Sequence, residues 1–298
     1  MRVAVSGSTG MIGEALIAEL RRDGHAIHRL VRERSRATGD DVYWSVERHE
    51  LDTDRLDGVD AVVHLAAEPI GDKRWSADQK SRILESRSQG TRLLSEGLAS
   101  LRNPPAVLVS MSGADYYGDR GDEILTESAA PGTTFLAEVC VAWEEAAEPA
   151  RAAGIRVVHP RNGVVIAHTG PLMDKVRLPF RLGVGGRIGD GHQYVPWVAM
   201  QDEIRALRLF IDRDDLEGPF NVVSPQTATN RELTKALGAA MHRPTIMPIP
   251  AFALQVLYGE LGIALGVHSK RVVPTKLQEV GFTWRHEDLG EAVEVALN

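Results

Sequence analysis

Apolar positions along the chain alternate between short continuous runs and stretches of helical spacing. Val3-Ala4-Val5 leads into a glycine-rich turn and then into Ala15-Leu16-Ile17-Ala18-Glu19-Leu20, where apolar residues recur every three or four positions. Ala26 to Val31 predicts a second strand, and Tyr43-Trp44 opens a short stretch without a clear period. Ala61 to Ala67 is a near-continuous apolar run, the pattern of a strand covered on both faces. A long helix is predicted over Ser76 to Leu101, with Ile83, Leu93, Leu94 and Leu98 on its inner side, and a buried strand over Ala106 to Met111. Ser112 to Gly132 is rich in Gly, Asp and Ser and reads as loop. Phe135 to Ala153 predicts one helix, stopped by Gly154, and Ile155 to His159 the next strand. This alternation predicts an α/β fold with a doubly wound parallel sheet, whose ligand lies beyond the carboxyl ends of the strands. The ends at Ser6, Val31, Leu65, Met111 and Pro160 should converge on one crevice.

After Val165 the pattern changes. Gly170 to Gly191 is glycine-rich with scattered apolar residues and reads as a long, functional loop. Strand character returns at Tyr194 to Val198 and Pro219 to Val223, with a helix over Glu203 to Ile211 between them. Thr229-x-x-Glu232 fits a capping box for a helix to Met241, and a last helix spans Leu289 to Leu297. Residues 1–165 are therefore expected to form a nucleotide-binding domain to which 195–225 returns. Residues 166–194 and 226–298 form a smaller, interleaved lobe that covers the crevice. Ile249 to Val267 is mostly apolar but interrupted by Pro250, Gln255 and Glu260; it predicts a buried or groove-lining helix. A membrane-surface helix would need basic residues on its polar face, and this one has none.

Composition narrows the function classes. The 298 residues are 43% hydrophobic, enough for a sizeable core, and the net charge of −7 with no basic tract argues against nucleic acid. One cysteine, Cys140, excludes an internal disulfide and fits a reducing, cytoplasmic setting. A strand pattern from residue 2 leaves no room for a signal peptide, and no His/Cys set has metal-ligand spacing.

The chemistry centres on Gly7-x-x-Gly10-x-x-Gly13, between a strand and a helix. Such a turn aims backbone N–H groups and the helix dipole at a pyrophosphate. Gly7 permits the turn, Gly10 the approach of the phosphate, and Gly13 the packing of helix on strand. Where an acidic residue would hold ribose hydroxyls, the second strand ends in Val31-Arg32, followed by Glu33, Arg34 and Arg36. A guanidinium suits a 2′-phosphate, so NADP(H) is expected over NAD(H), with Arg32 the main contact. His64, inside a strand, reads as a packing residue, and Cys140 as a small hydrophobe.

These residues resemble the extended short-chain dehydrogenase/reductases, the Rossmann-type class that includes nucleotide-sugar epimerases. Gly7-Ser8-Thr9-Gly10-Met11-Ile12-Gly13, His64-Leu65-Ala66-Ala67 and Gly218-Pro219-Phe220-Asn221-Val222 carry the resemblance. Arg74-Trp75, Ser86-Arg87, Phe135-Leu136-Ala137-Glu138, Trp143-Glu144, Leu178 to Gly183, and Gly189 to Gln193 with Pro196-Trp197 are similar to a divergent "epimerase family" branch. That branch has a short C-terminal domain, which residues from about Arg243 resemble. The resemblance implies an NADP-dependent oxidoreductase without an established substrate. It implies cofactor contacts from Gly7, Ser8, Thr9, Gly10, Met11, Ile12, Val31, Arg32, Leu65, Ala66, Ala67, Glu68, Arg87, Ser110, Arg161 and Val165. It also suggests a homodimer through Ser76–Leu101 and Phe135–Ala153.

The same resemblance exposes a gap. The superfamily uses a Ser, a Tyr and a Lys four residues after the Tyr. Here the serine position falls on Gly113, the other two fall on Leu136 and Cys140, and no lysine occurs between Lys80 and Lys175. Three readings stay open: an oxidoreductase using Ser112, Tyr116, Tyr117, Glu68 or His192, with Arg87 or Arg161 lowering a tyrosine pKa; a non-catalytic NADP(H) sensor or scaffold; or a non-redox pocket for a carbonyl metabolite. Arg87 has a blander alternative as a surface salt bridge, His192-Gln193-Tyr194 as loop-stabilising residues, and Trp75 and Trp197 as packing residues.

Overall fold

Each central strand presents alternate apolar residues to two different layers. In β1 (Arg2–Ser6), Val3 and Val5 join one core, and Ala4 joins the other. The same split holds in β5 (Ala61–His64) and β6 (Val107–Ser110), where Val63 and Val109 face one way and Val62 and Leu108 the other. This two-sided burial explains the unbroken apolar runs. The computed structural model describes residues 1–297; Asn298 and the side chain of Arg36 lie outside the described residues.

The main sheet adds β2 (Ala26–Val31), β3 (Val42–Ser45), β4 (Glu50–Leu51), β7 (Arg156–Asn162) and β8 (Gly218–Val222). Its order is β8-β7-β6-β5-β1-β2-β3-β4, parallel except for β4. The order reverses between β1 and β5, which places the crevice at their carboxyl ends. Helices α1 (Met11–Arg22) and α6 (Met200–Asp212) cover one face. Helices α2 (Ala77–Ala99), α3 (Phe135–Glu145) and α4 (Glu148–Ala152) lie on the other side. There Leu93, Leu94 and Leu98 of α2 and Ala150 of α4 share a core with Val62, Leu108 and Val157 of the sheet.

Several expected elements differ. The predicted helix over Phe135 to Ala153 divides into α3 and α4, because Pro149 in the first turn of α4 has no N–H to continue the ladder. The unclear stretch at Tyr43 is β3, with Val42, Tyr43 and Trp44 buried. The long glycine-rich loop contains a helix, α5 (Pro171–Arg181), which buries Met173 and Phe180 in the core of the smaller lobe. Flanking glycines and Pro179 hid its period. Of the residues expected to rejoin the sheet, β8 does so, whereas Tyr194–Val195 and Trp197–Ala199 form short pairings outside it. Helix α7 (Asn230–Ala240) carries the full Thr229/Glu232 capping box. The apolar Ile249–Val267 segment breaks at Gly259, with φ +66°, into α8 (Ala251–Tyr258) and α9 (Glu260–Gly266). Contrary to expectation, α8 buries none of its residues. Helices α10 (Thr275–Glu279) and α11 (Leu289–Leu297) complete the fold.

Two positions make this packing testable. A Cβ on Gly13 would lie 2.2 Å from the Gly7 carbonyl oxygen, a backbone atom that cannot yield without moving the turn. Gly13→Ala should therefore lower stability by about 1–3 kcal/mol in urea unfolding. Glu203, fully buried in the first turn of α6, has no hydrogen-bond partner for either carboxyl oxygen among the described residues. Burial raises its pKa from 4.5 to about 8, so the folded state keeps a proton that the unfolded chain releases. That contribution to stability is present below about pH 4.5 and is lost as pH rises to about 8. Relative to Glu203→Gln, the native chain should lose about 1.4 kcal/mol per pH unit across that window.

Candidate functional site

The turn after β1 is shaped by contacts that only glycine allows. Gly7 has φ +65°, and a Cβ there would lie 2.9 Å from Ala66 N and Leu65 C. The strand end therefore runs directly under the loop after β5. Ser6 secures this approach: its Oγ accepts from Leu65 N (3.0 Å) and Ala66 N (3.1 Å) and lies 2.7 Å from His64 Nδ1. With both N–H groups directed at Oγ, the hydroxyl proton goes to Nδ1, which leaves a neutral imidazole protonated at Nε2. Full burial pushes the His64 pKa down to about 4, in keeping with a packing histidine that also meets Trp44 edge-on at 5.6 Å.

Gly10 differs from its two neighbours. A Cβ there would meet only the Gly7 oxygen, at 3.3 Å, and the residue is exposed. The first bond of α1 is Glu14 N to Gly10 O at 2.8 Å, and no side chain caps the helix. The N–H groups of Met11, Ile12 and Gly13 precede that bond and have no partner within the helix. Of the residues expected to contact the cofactor, Gly7, Ser8, Met11, Ile12, Val31, Leu65, Ala66, Ala67, Glu68 and Val165 are partly exposed, and Thr9 and Arg32 are exposed. Arg34 lies back on the protein, 4.1 Å from the Tyr43 ring centroid and paired with Glu50 at 3.0 Å.

Arg87 is no surface salt bridge. It is 9% exposed, its Nη1 donates to Glu68 O (3.0 Å) and Ile83 O (3.1 Å), and its guanidinium sits 4.9 Å from the Trp143 ring centroid. It thereby ties α2 to the loop after β5, and burial lowers its pKa.

Ser110 and Arg161 are both buried. Arg161 forms a two-pronged pair with Glu144 (2.7 and 2.8 Å), donates to the Tyr117 hydroxyl at 3.1 Å, and stacks 3.4 Å from the Tyr116 ring centroid. Glu144 also accepts from Ser112 Oγ at 2.8 Å. Tyr117 is fully buried and donates to Asn221 Oδ1 at 2.6 Å. Burial pushes its pKa up to about 12, outweighing the lowering by Arg161, so the expected activation by that arginine fails at Tyr117. Cys140 lies against Gly113, whose Cβ would be 3.8 Å from Sγ; its buried thiol is pushed up to about 12 and is inert.

The remaining candidates separate. Tyr116 is half-buried, and its hydroxyl has no hydrogen-bond partner among the described residues. Glu68 accepts from Gln79 Nε2 at 3.2 Å. His192 is exposed in the smaller lobe, in a loop held by His192 N to Asp190 Oδ1 (2.9 Å) and by Gln193 Nε2 to Ile188 O and Gly266 O. Trp197 is buried and donates to Gln226 O, whereas Trp75, half-buried, donates to Ile70 O and packs edge-on against Phe135. The tertiary structure also delivers charges that sequence inspection missed. Lys270 Nζ reaches Asp115 at 2.6 Å and Lys80 Nζ reaches Glu260 at 2.5 Å, both across separations no local pattern reveals. Among the described residues, no group of three or more His, Cys, Asp or Glu could hold a metal ion.

Glu144→Gln would leave the Arg161 guanidinium buried without its counter-charge. We expect a loss of about 3–5 kcal/mol in urea unfolding, the cost of breaking a buried pair from one side.

Comparison with known proteins agrees with this architecture. Residues 3–224 match the NAD dependent epimerase/dehydratase family, and residues 249–296 match a domain of unknown function, DUF1731. An epimerase family protein of Mycobacterium bovis is 39% identical over 297 residues, covering 99% of this chain and 97% of its own. The crystal structure of human epimerase family protein SDR39U1 (isoform 2) with NADPH is 30% identical, with TM-score 0.89, over 100% of this chain and 99% of that one. A nucleoside-diphosphate sugar epimerase structure from Corynebacterium glutamicum is 34% identical with TM-score 0.83, covering 100% of this chain and 58% of that one. With its sheet, glycine turn and C-terminal segment all matched, the chain belongs to the NAD dependent epimerase/dehydratase family.

Proposed function

We propose that this protein is an NADP(H)-dependent oxidoreductase of the epimerase class. The observation that carries the reading is the open face of Gly10, beside N–H groups of α1 with no partner within the helix, together with the exposed Arg32 that directly follows β2. A pyrophosphate fits where a side chain would block, and a guanidinium, not a carboxylate, follows the strand that reads the ribose. The human relative solved with NADPH supports the same cofactor. In this reading Gly7 to Ile12 hold the pyrophosphate, Val31 and Arg32 the 2′-phosphate end, and Leu65 to Glu68 the ribose. NADP(H) supplies the hydride chemistry when bound.

The protein's own residues then have to hold the carbonyl and move one proton. Tyr117, Ser112 and Cys140 are committed to burial or hydrogen bonds, and Arg161 and Glu144 to each other. Tyr116 Oη is the proton donor in this proposal, because its hydroxyl is unengaged and the Arg161 guanidinium fixes its ring. Arg87 orients the 65–68 backbone through Glu68 O. A second reading, a non-catalytic NADP(H) sensor, is favoured by the same commitment of side chains at the positions where acid chemistry is usual.

Titration of the purified protein with NADPH and NADH tests the cofactor assignment. NADPH should bind more tightly, and Arg32→Ala should weaken NADPH by about 10- to 100-fold while leaving NADH nearly unchanged, the range expected for a lost charged hydrogen bond. Gly10→Ala should weaken both. Equal binding of the two nucleotides, or none, would sink the assignment.

A further inference from the structure

A buried lysine of the C-terminal segment reaches into the loop that follows β6. Lys270 Nζ donates to Asp115 Oδ1 at 2.6 Å, across 155 residues of sequence. Lys270 lies within 249–296, the stretch that matches DUF1731. Its backbone is held there by other bonds. Arg120 N donates to Ser269 O at 2.9 Å, Ser269 N to Asp119 Oδ1 at 2.9 Å, and Ser269 Oγ to Gly121 O at 2.7 Å. Lys270 N donates to Tyr194 O at 3.0 Å, and Arg271–Val272 pairs in parallel with Ile124–Leu125. The segment is thus docked on both sides of Lys270 without the ion pair.

Asp115 stands where the usual acid set is missing. It belongs to the short turn Ala114–Tyr117 and directly precedes Tyr116. Gly113 and Cys140 occupy the positions of the usual serine and lysine, and a Cβ on Gly113 would lie 3.8 Å from both Asp115 N and Cys140 Sγ. After burial, the Asp115 charge is the strongest influence raising the Cys140 thiol. Arg87, lowered by burial, is pulled the other way by Cys140, Asp115 and Glu68. The carboxylate is therefore close to α3, to α2 and, through the arginine that holds Glu68 O, to the loop after β5.

The two oxygens of Asp115 differ. Oδ1 takes the Lys270 ammonium, whereas Oδ2 has no hydrogen-bond partner among the described residues. The Asp115 side chain is 26% exposed and that of Lys270 10%, so the acceptor is open to solvent and the cation is hidden behind it. A carboxylate already offset by Lys270, with Arg87 nearby, gains little from a further cation. Its free oxygen suits a neutral donor, a hydroxyl.

We propose that Asp115 determines specificity by accepting a hydrogen bond from a substrate hydroxyl close to the reacting carbonyl, and that Lys270 is the positioning residue that fixes its carboxylate. This rests on the NADP(H) reading, in which the neighbouring Tyr116 gives its proton to that carbonyl. The C-terminal segment thereby takes part in substrate selection.

The test uses the full-length protein, with NADPH affinity measured first. Two ketones of matched size, hydroxyacetone and butanone, are then compared by NADPH oxidation and by ligand-observed NMR. The native protein should favour hydroxyacetone about tenfold or more, the range of a hydrogen bond to a charged group. Lys270→Met should bring that ratio close to one with NADPH affinity unchanged, Lys270→Arg should restore it, and Asp115→Ala should abolish it. No preference in the native protein, by turnover or by binding, overturns the proposal. So does a Lys270→Met variant that lowers the thermal midpoint but keeps the preference, since the pair would then be a clamp only. If the single variants fail to fold, the charge-free double variant Asp115→Asn/Lys270→Met decides: it should lack the preference, and keeping it overturns the assignment. If NADPH does not bind, the cofactor reading falls, while a hydroxyacetone preference by NMR that Lys270→Met removes upholds Asp115 and Lys270.

Discussion

The near-contact of Gly7 and Gly13 is the constraint on which the rest depends. Because neither residue has a side chain, α1 begins almost on top of the strand it follows, and the loop after β5 closes over the same turn. Ser6 gives that closure direction: one hydroxyl collects two backbone N–H groups from the neighbouring connection and gives its proton to His64. The open space left at Gly10 is thus a consequence of packing, and the phosphate-binding character of the helix terminus follows from its unpaired N–H groups.

At the far end of the crevice, charge is organised differently. Arg161 and Glu144 neutralise each other within the protein, and Ser112, Tyr117 and Asn221 are drawn into the same network. A buried, two-pronged pair of this kind gains little beyond an apolar replacement but costs much if half of it is removed. It therefore acts as a fixed strut between α3 and β7. Cys140 lies against Gly113, and the Arg161 guanidinium sits against the Tyr116 ring.

Late segments of the chain reach the sheet domain through long-range contacts. Gly170 on Met11, Lys175 on Gly71, Lys80 on Glu260 and Lys270 on Asp115 each join a late segment to the sheet domain. Two of these contacts hold α5, the helix hidden in the glycine-rich stretch, against the sheet domain.

By itself, the amino-acid sequence determined the parallel sheet, the turn at Gly7 to Gly13 and the arginine after β2. Those features are local: they depend on apolar periodicity, glycine geometry and residue order within a few turns of chain. It also showed that no lysine occurs between Lys80 and Lys175. The tertiary structure alone decided that Tyr117 and Arg161 are interior, that α5 exists within an apparent loop, and that α8 lies exposed. Burial, ion pairing and the spending of a hydroxyl proton depend on neighbours more than a hundred residues away, as Tyr117 with Asn221 shows, and no local pattern encodes them.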